Sequence, residues 1–300
     1  MEQALFIHGV LVPACCALAL TLALRRRTMR WRGVALFVAL LLGARANDSF
    51  GGFPPTNGWM WLVIAVGASV TVGATAGERG VSRVGRGIIC LVAALMASLL
   101  LPLPMWRSAD ARLLLAAGLG ATSMLMLPVG MHRGGFSVWC ACSVAVAGTS
   151  AVALQTGFAK LAVSLGAVAC ACGWIGVASS VVRPRHRMPL GIAGTLAVVS
   201  VTTLGSATAY AYETASTPWW IFAASATAPL GCWLGEAPPF RASRTASAIA
   251  RIAGVATLSG AAVIGTLRHA GVGASAASDA YACIGDDRLP AIQPFLARTD

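Results

Sequence analysis

Apolar residues run along this chain in long blocks, without the alternation of a half-buried strand or the one-sided stripe of a soluble helix. The blocks cover residues 4–24, 33–53, 59–77, 88–106, 112–131, 136–156, 161–182, 188–211, 218–235 and 246–267. Most are close to the roughly 20 residues that a helix needs to cross the hydrocarbon core of a bilayer. No water is present there to satisfy backbone N–H and C=O groups, so each block is predicted to be helical. The expected fold class is all-α: a polytopic transmembrane bundle of about ten helices. From Ala270 the sequence turns polar, and 270–300 is predicted to be a tail, partly disordered, that docks on the bundle at most weakly.

Composition agrees with the pattern, since 57% of the 300 residues are apolar and 11% are charged. The first block is expected to be retained as a helix: Glu2 precedes it and Arg25, Arg26 and Arg27 follow it, the reverse of a signal peptide's basic start. The net charge of +12 does not indicate a nucleic-acid partner, because the cations sit in the short connections between blocks and form no single soluble face. The odd-numbered connections carry most of them: Arg25 to Arg32, then Arg79, Arg83 and Arg86, then His132 and Arg133, then Arg183, Arg185 and Arg187, then Arg241 and Arg244. By the positive-inside rule these connections are cytoplasmic. The expected location is a bacterial-type cytoplasmic membrane with the N-terminus and the tail outside. The lipid bilayer is the expected partner.

Sliding the chain against itself by 158 residues aligns Arg25–Arg86 with Arg183–Arg244 without a gap, giving fourteen identities in 62 positions. Roughly six are expected by chance at this composition. The shift carries the first four blocks onto the last four with the same direction across the membrane, as in the parallel repeats of some transporter folds. The chain therefore divides into a first membrane repeat (1–106), two connecting helices (107–158), a second membrane repeat (159–269) and the tail (270–300). Both repeats carry glycines four apart, Gly73 with Gly77 and Gly231 with Gly235, a spacing that lets two helix backbones approach closely.

Polar residues inside or beside the blocks are few and carry the candidate chemistry. Arg45 and Asp48 lie three apart on the second block, which places them on one helix face. The repeat maps them onto Thr203 and Ser206 of the eighth block, whose polar series ends at Glu213. An outward-facing polar cleft of Arg45, Asp48, Thr203, Ser206 and Glu213 between the second and eighth helices is predicted. Glu78 with Arg83, and Glu236 with Arg241, follow the glycines at matched spacing and read as a cytoplasmic gate or helix-end lock.

No arrangement points to a catalytic residue or to a cofactor. The pairs Cys140/Cys142 and Cys170/Cys172 are two apart on helices and point away from each other, so neither is read as a metal site. Two functions remain in view: a small-solute transporter or permease, and a non-transporting membrane scaffold, sensor or assembly component. A membrane-embedded enzyme ranks behind both.

Overall fold

The structure is a computed structural model. It describes residues 7–23, 30–47, 55, 57–76, 81–102, 108–132, 135–181, 188–213 and 217–284, with the backbone alone over 270–284. All regular structure among the described residues is helical. The helices are α1 (Val12–Ala23, entered through a π-helical turn Ile7–Leu11), α2 (Arg30–Ala46), α3 (Trp61–Thr75, after a 3₁₀ turn Gly58–Met60), α4 (Arg83–Leu99) and α5 (Ala109–His132). They continue with α6 (Phe136–Gln155), α7 (Ala159–Val181), α8 (Gly191–Ala211), α9 (Trp219–Thr227, running on as the 3₁₀ segment Ala228–Glu236), a single turn Pro238–Arg241 and α10 (Arg244–Ile284). Six stretches are long and apolar enough to cross a membrane: Gly58–Thr75, Ala109–His132, Phe136–Gln155, Ala159–Val181, Gly191–Ala211 and Arg244–His269.

Three element ends differ from the sequence expectation, each for a local reason. The second helix stops at Ala46, where the buried Asn47 turns its amide back onto the carbonyls of Gly43 (2.9 Å) and Lys160 (3.4 Å), so Arg45 lies in the last turn and not within a longer span. The ninth helix changes to 3₁₀ geometry at Ala228 because Pro229 has no N–H to give to a carbonyl four residues back. The tenth runs on through Ala270 to Ile284, past the expected start of the tail.

Helix α8 forms the axis of the bundle. Every residue from Gly191 to Ala209 is buried, and α2, α3, α5, α6 and α9 pack around it. Glycines make this enclosure possible. A methyl at Gly33 of α2 or at Gly73 of α3 would strike the backbone of Ala193, and one at Gly130 of α5 would strike the Thr195 hydroxyl. Helix α1 packs on α2 and α7, α4 on α3 and α5, and α10 on α6 and α9. The two sets of four share the neighbour order of second, third and fourth helix, but α3 packs broadly on α8 while α9 and α2 have at most a marginal contact among the described residues. The packing around α8 is therefore not two-fold.

The connections sort onto two faces. Helices α6 and α7 are joined by a tight turn in which Gly157 takes φ +82° and Phe158 N–H reaches the carbonyl of Ala153 at 2.9 Å, a Schellman ending. That turn delivers the Phe158 ring to Trp59 (5.6 Å) and Tyr212 (4.9 Å), so the connections before α3, before α7 and after α8 meet at one end. At the opposite end Arg32 donates to the carbonyl of Pro189, and Trp139 Nε1 donates to the carbonyl of Met188 at 2.9 Å.

Candidate functional site

Within α8 the hydroxyl residues fall into two groups. Thr195 and Thr202 donate back to carbonyls of their own helix, Gly191 at 2.8 Å and Val198 at 3.1 Å, the usual way a membrane helix satisfies such groups. Ser200, Thr203, Ser206 and Thr208 are also buried and have no hydrogen-bond partner among the described residues. An unmade hydrogen bond on a buried hydroxyl is unfavourable by about 1–3 kcal/mol. Two of the four residues, Thr203 and Ser206, also line a cavity, with their hydroxyl oxygens just beneath its surface.

That cavity, of about 190 Å³, lies between α5, α8 and α9. Thr203, Ser206 and Tyr210 recur at the three- and four-residue intervals that share one helix face, and this face forms the α8 wall. Leu114, Leu115 and Gly118 of α5, with Trp219, Phe222 and Ala223 of α9, make the apolar remainder. The rings of Tyr210 and Phe222 lie 5.1 Å apart and close one side. Leu114 and Trp219 at the mouth are largely exposed, so the cavity opens sideways from the bundle and not along its axis. A cavity of roughly 150 Å³ holds a benzene molecule, which sets the scale of an occupant here at on the order of ten non-hydrogen atoms.

The structure gathers only part of the predicted cleft. Thr203 and Ser206 share the cavity wall, but Arg45 and Glu213 do not line it. Arg45 is exposed at the end of α2, and Glu213 is half-buried just beyond α8. Helices α2 and α8 are in close contact through Gly33 and Ala193, which leaves no cleft between them there; the cavity is on another side of α8. Asp48 lies outside the described residues.

The helix-end residues are likewise redistributed. Glu236 Oε1 meets Arg251 Nη2 at 2.6 Å, and Arg251 Nη1 reaches Ser137 Oγ at 3.1 Å, so an ion pair ties α10 to the end of the 3₁₀ segment and to α6. Arg241 is exposed on the single turn, and Arg83 is exposed at the start of α4. Glu78 and Gly77 lie outside the described residues. Gly73 packs on Ala193 of α8, Gly231 meets Gly254 backbone to backbone, and Gly235 abuts the Arg251 stem and the Ser247 carbonyl. The third and ninth helices thus use their glycines against different neighbours.

Three groups of residues were not singled out by sequence reasoning. Tyr210, Trp219 and Phe222 formed no part of the predicted cleft, although the register of Tyr210 with Thr203 and Ser206 on one helix was available. Arg251 stands seven residues inside α10, and a cation at that depth calls for an acid partner; that signal was present and points to Glu236. Arg86 and His132 were read only as loop charges.

Comparisons with known proteins add no analogy to this geometry. The chain matches no protein-family model, no curated protein and no solved structure. The function must be read from the site itself.

Proposed function

We propose that this chain is a multi-pass membrane protein of ten crossings that binds a small amphiphilic molecule in the α5/α8/α9 cavity and acts as a non-transporting sensor or assembly component. The observation that carries the proposal is that Thr203 and Ser206 line an apolar cavity while their hydroxyls, just beneath its wall, have no partner among the described residues, so that a rotation of each side chain would bring its hydroxyl to an occupant. An occupant with one hydroxyl, amide or carbonyl group would satisfy them, and its apolar body would lie against Leu115, Trp219 and Phe222. Entry from the bilayer suits a sideways mouth bordered by Leu114.

Ten crossings are supported by the sorting of connections onto two faces and by the cations on the even-odd pattern described above. The N-terminus is then outside, and so is the far end of α10. The 158-residue correspondence supports descent from a duplicated unit whose copies have diverged in packing. It is also the observation that favours the second reading, a small-solute transporter. Against transport stands the burial of α8 from Gly191 to Ala209, with its polar residues against neighbouring helices or beside a side cavity and not along a continuous passage.

The test uses the purified protein in lipid nanodiscs with 8-bromooctan-1-ol as probe, because bromine quenches tryptophan fluorescence on contact. Saturable quenching is expected in the wild type, with the saturable component absent in Trp219→Phe and strongly weakened in Thr203→Val/Ser206→Ala. Quenching that rises linearly with probe and is the same in all three proteins would sink the proposal. Solute uptake into proteoliposomes that the Thr203→Val/Ser206→Ala variant abolishes would favour transport instead.

A further inference from the structure

A second cavity lies at the opposite, cation-rich face, between the start of α4 and the end of α5. Its volume is about 440 Å³, and Arg83, Arg86 and Gly87 of α4 line it with Met124, Leu127, Pro128 and His132 of α5. Among the described residues the lining therefore has two arginines and a histidine and no acidic residue. The Nε of Arg86 is buried there without a hydrogen-bond partner.

The arginines are also poorly placed for their own helix. Arg83 and Arg86 occupy the first turn of α4, which begins after the cap Ser82 and has no acidic residue. That turn carries the positive end of the helix dipole, where cations are disfavoured and anions are stabilised. Two guanidinium groups, a helix N-terminus and His132 thus converge on one space with nothing in the described structure to balance them. Below them the cavity wall becomes apolar at Met124 and Leu127, and the outer surfaces of α4 and α5 continue as exposed Ile88 and Leu125. Cations above and hydrocarbon below match the order of a lipid's phosphate and acyl chains.

We propose that this cavity is a binding site for an anionic phospholipid of the cytoplasmic leaflet, with its phosphate held by Arg83, Arg86 and His132 and its chains lying over Ile88 and Met124. The proposal is independent of the α5/α8/α9 cavity. Its chemistry is that of basic pockets between membrane helices that take lipid headgroups. A soluble phosphate would use the same cations but gain nothing from the apolar wall.

The experiment is native mass spectrometry of the full chain released from nanodiscs of equal phosphatidylglycerol and phosphatidylcholine. The wild type should retain phosphatidylglycerol preferentially. Arg83→Gln/Arg86→Gln should lower that preference about thirtyfold, at roughly 1 kcal/mol per arginine, while the exposed Arg241→Gln should leave it intact. Met124→Trp keeps all three cations but fills the apolar part of the cavity, and should also lower retention; it serves as the decisive variant if the double one does not fold. Preference unchanged in both variants would overturn the proposal. Displacement of the bound lipid by millimolar inorganic phosphate would overturn it in favour of a soluble anion.

Discussion

Cutting the ion pair between α10 and the 3₁₀ segment should destabilise the bundle more than any other single polar change described here. Arg251 lies about 10 Å along α10 from Arg244 at the helical rise, and its side chain and that of Glu236 are 10% and 14% exposed. At the observed 2.6 Å and an effective dielectric constant of about 20, the gross attraction is about 6 kcal/mol. Desolvation offsets much of this, and removal of one partner from a buried pair typically destabilises by about 3–5 kcal/mol because the other charge is stranded. Glu236 has a second reason to need its arginine, since it ends a helical segment where a negative charge opposes the dipole. The expected results are a loss of about 3 kcal/mol for Glu236→Gln and a similar loss for Arg251→Met, which also gives up the Ser137 bond. The double variant should lose clearly less than the two single losses added together. Equilibrium unfolding in mixed micelles of increasing dodecyl sulfate content, followed by tryptophan fluorescence, supplies the double-mutant cycle. Single variants within about 0.5 kcal/mol of wild type, or strictly additive losses, would refute the reading of this contact as a lock between helices.

Thr203→Val and Ser206→Ala should leave unfolding stability unchanged or raise it by about 1 kcal/mol each, because each removes a buried hydroxyl with no partner; the same unfolding assay reads this. Gly33→Ala should lose about 1–3 kcal/mol by forcing α2 away from Ala193, whereas Gly118→Ala, whose added methyl meets nothing within 4 Å, should unfold at the wild-type midpoint. Trp139→Phe removes the bond to the Met188 carbonyl and should lower stability by about 1 kcal/mol. In a cysteine-free background, a cysteine at Asn57 should react with a membrane-impermeant maleimide in intact cells, and one at Ser243 should react only after lysis. The reverse pattern would invert the proposed orientation.

The long apolar helices were legible in the sequence because their blocks match the length that bilayer thickness would set, a constraint outside the chain. The element ends were less so. The stop of α2 at Ala46 depends on Asn47 finding the Lys160 carbonyl 113 residues away, and no local pattern contains that contact. The site was half legible. Thr203 and Ser206 were reached through the 158-residue repeat, but the repeat also drew in Arg45 and Asp48 by assuming that equivalent positions face one another. That assumption does not hold at this site, because α8 is buried from Gly191 to Ala209 while α2 keeps an exposed face, with Trp31 and Arg45 at the surface. Glu236 was read with Arg241 because that cation is nearer in sequence, and the structure adds an ion pair with Arg251, whose depth in its helix gives it the greater need of an acid.

The choice of α8 as the central helix also argues for the solvent in which this chain folds. In water the most enclosed helix of a bundle is the most uniformly apolar. Here the helix buried from Gly191 to Ala209 carries Thr195, Ser200, Thr202, Thr203, Ser206 and Thr208, while Val84, Leu114 and Val181 are 73%, 70% and 75% exposed at the surface. An apolar exterior this broad would drive a water-soluble protein to aggregate. In hydrocarbon the preference reverses: leucine and valine gain nothing by leaving lipid, and hydroxyl groups gain by facing other helices. Glycines at 33, 73 and 130 then have a clear purpose, since they let three neighbours close on a polar helix near enough to exclude lipid from it. The unpartnered pair at Thr203 and Ser206 stands where that closure is incomplete, on the α5 and α9 side. Under the proposed function, a ligand entering from the bilayer would complete the enclosure that the glycines provide elsewhere, so occupancy of the cavity and packing of α9 against α5 are expected to be coupled.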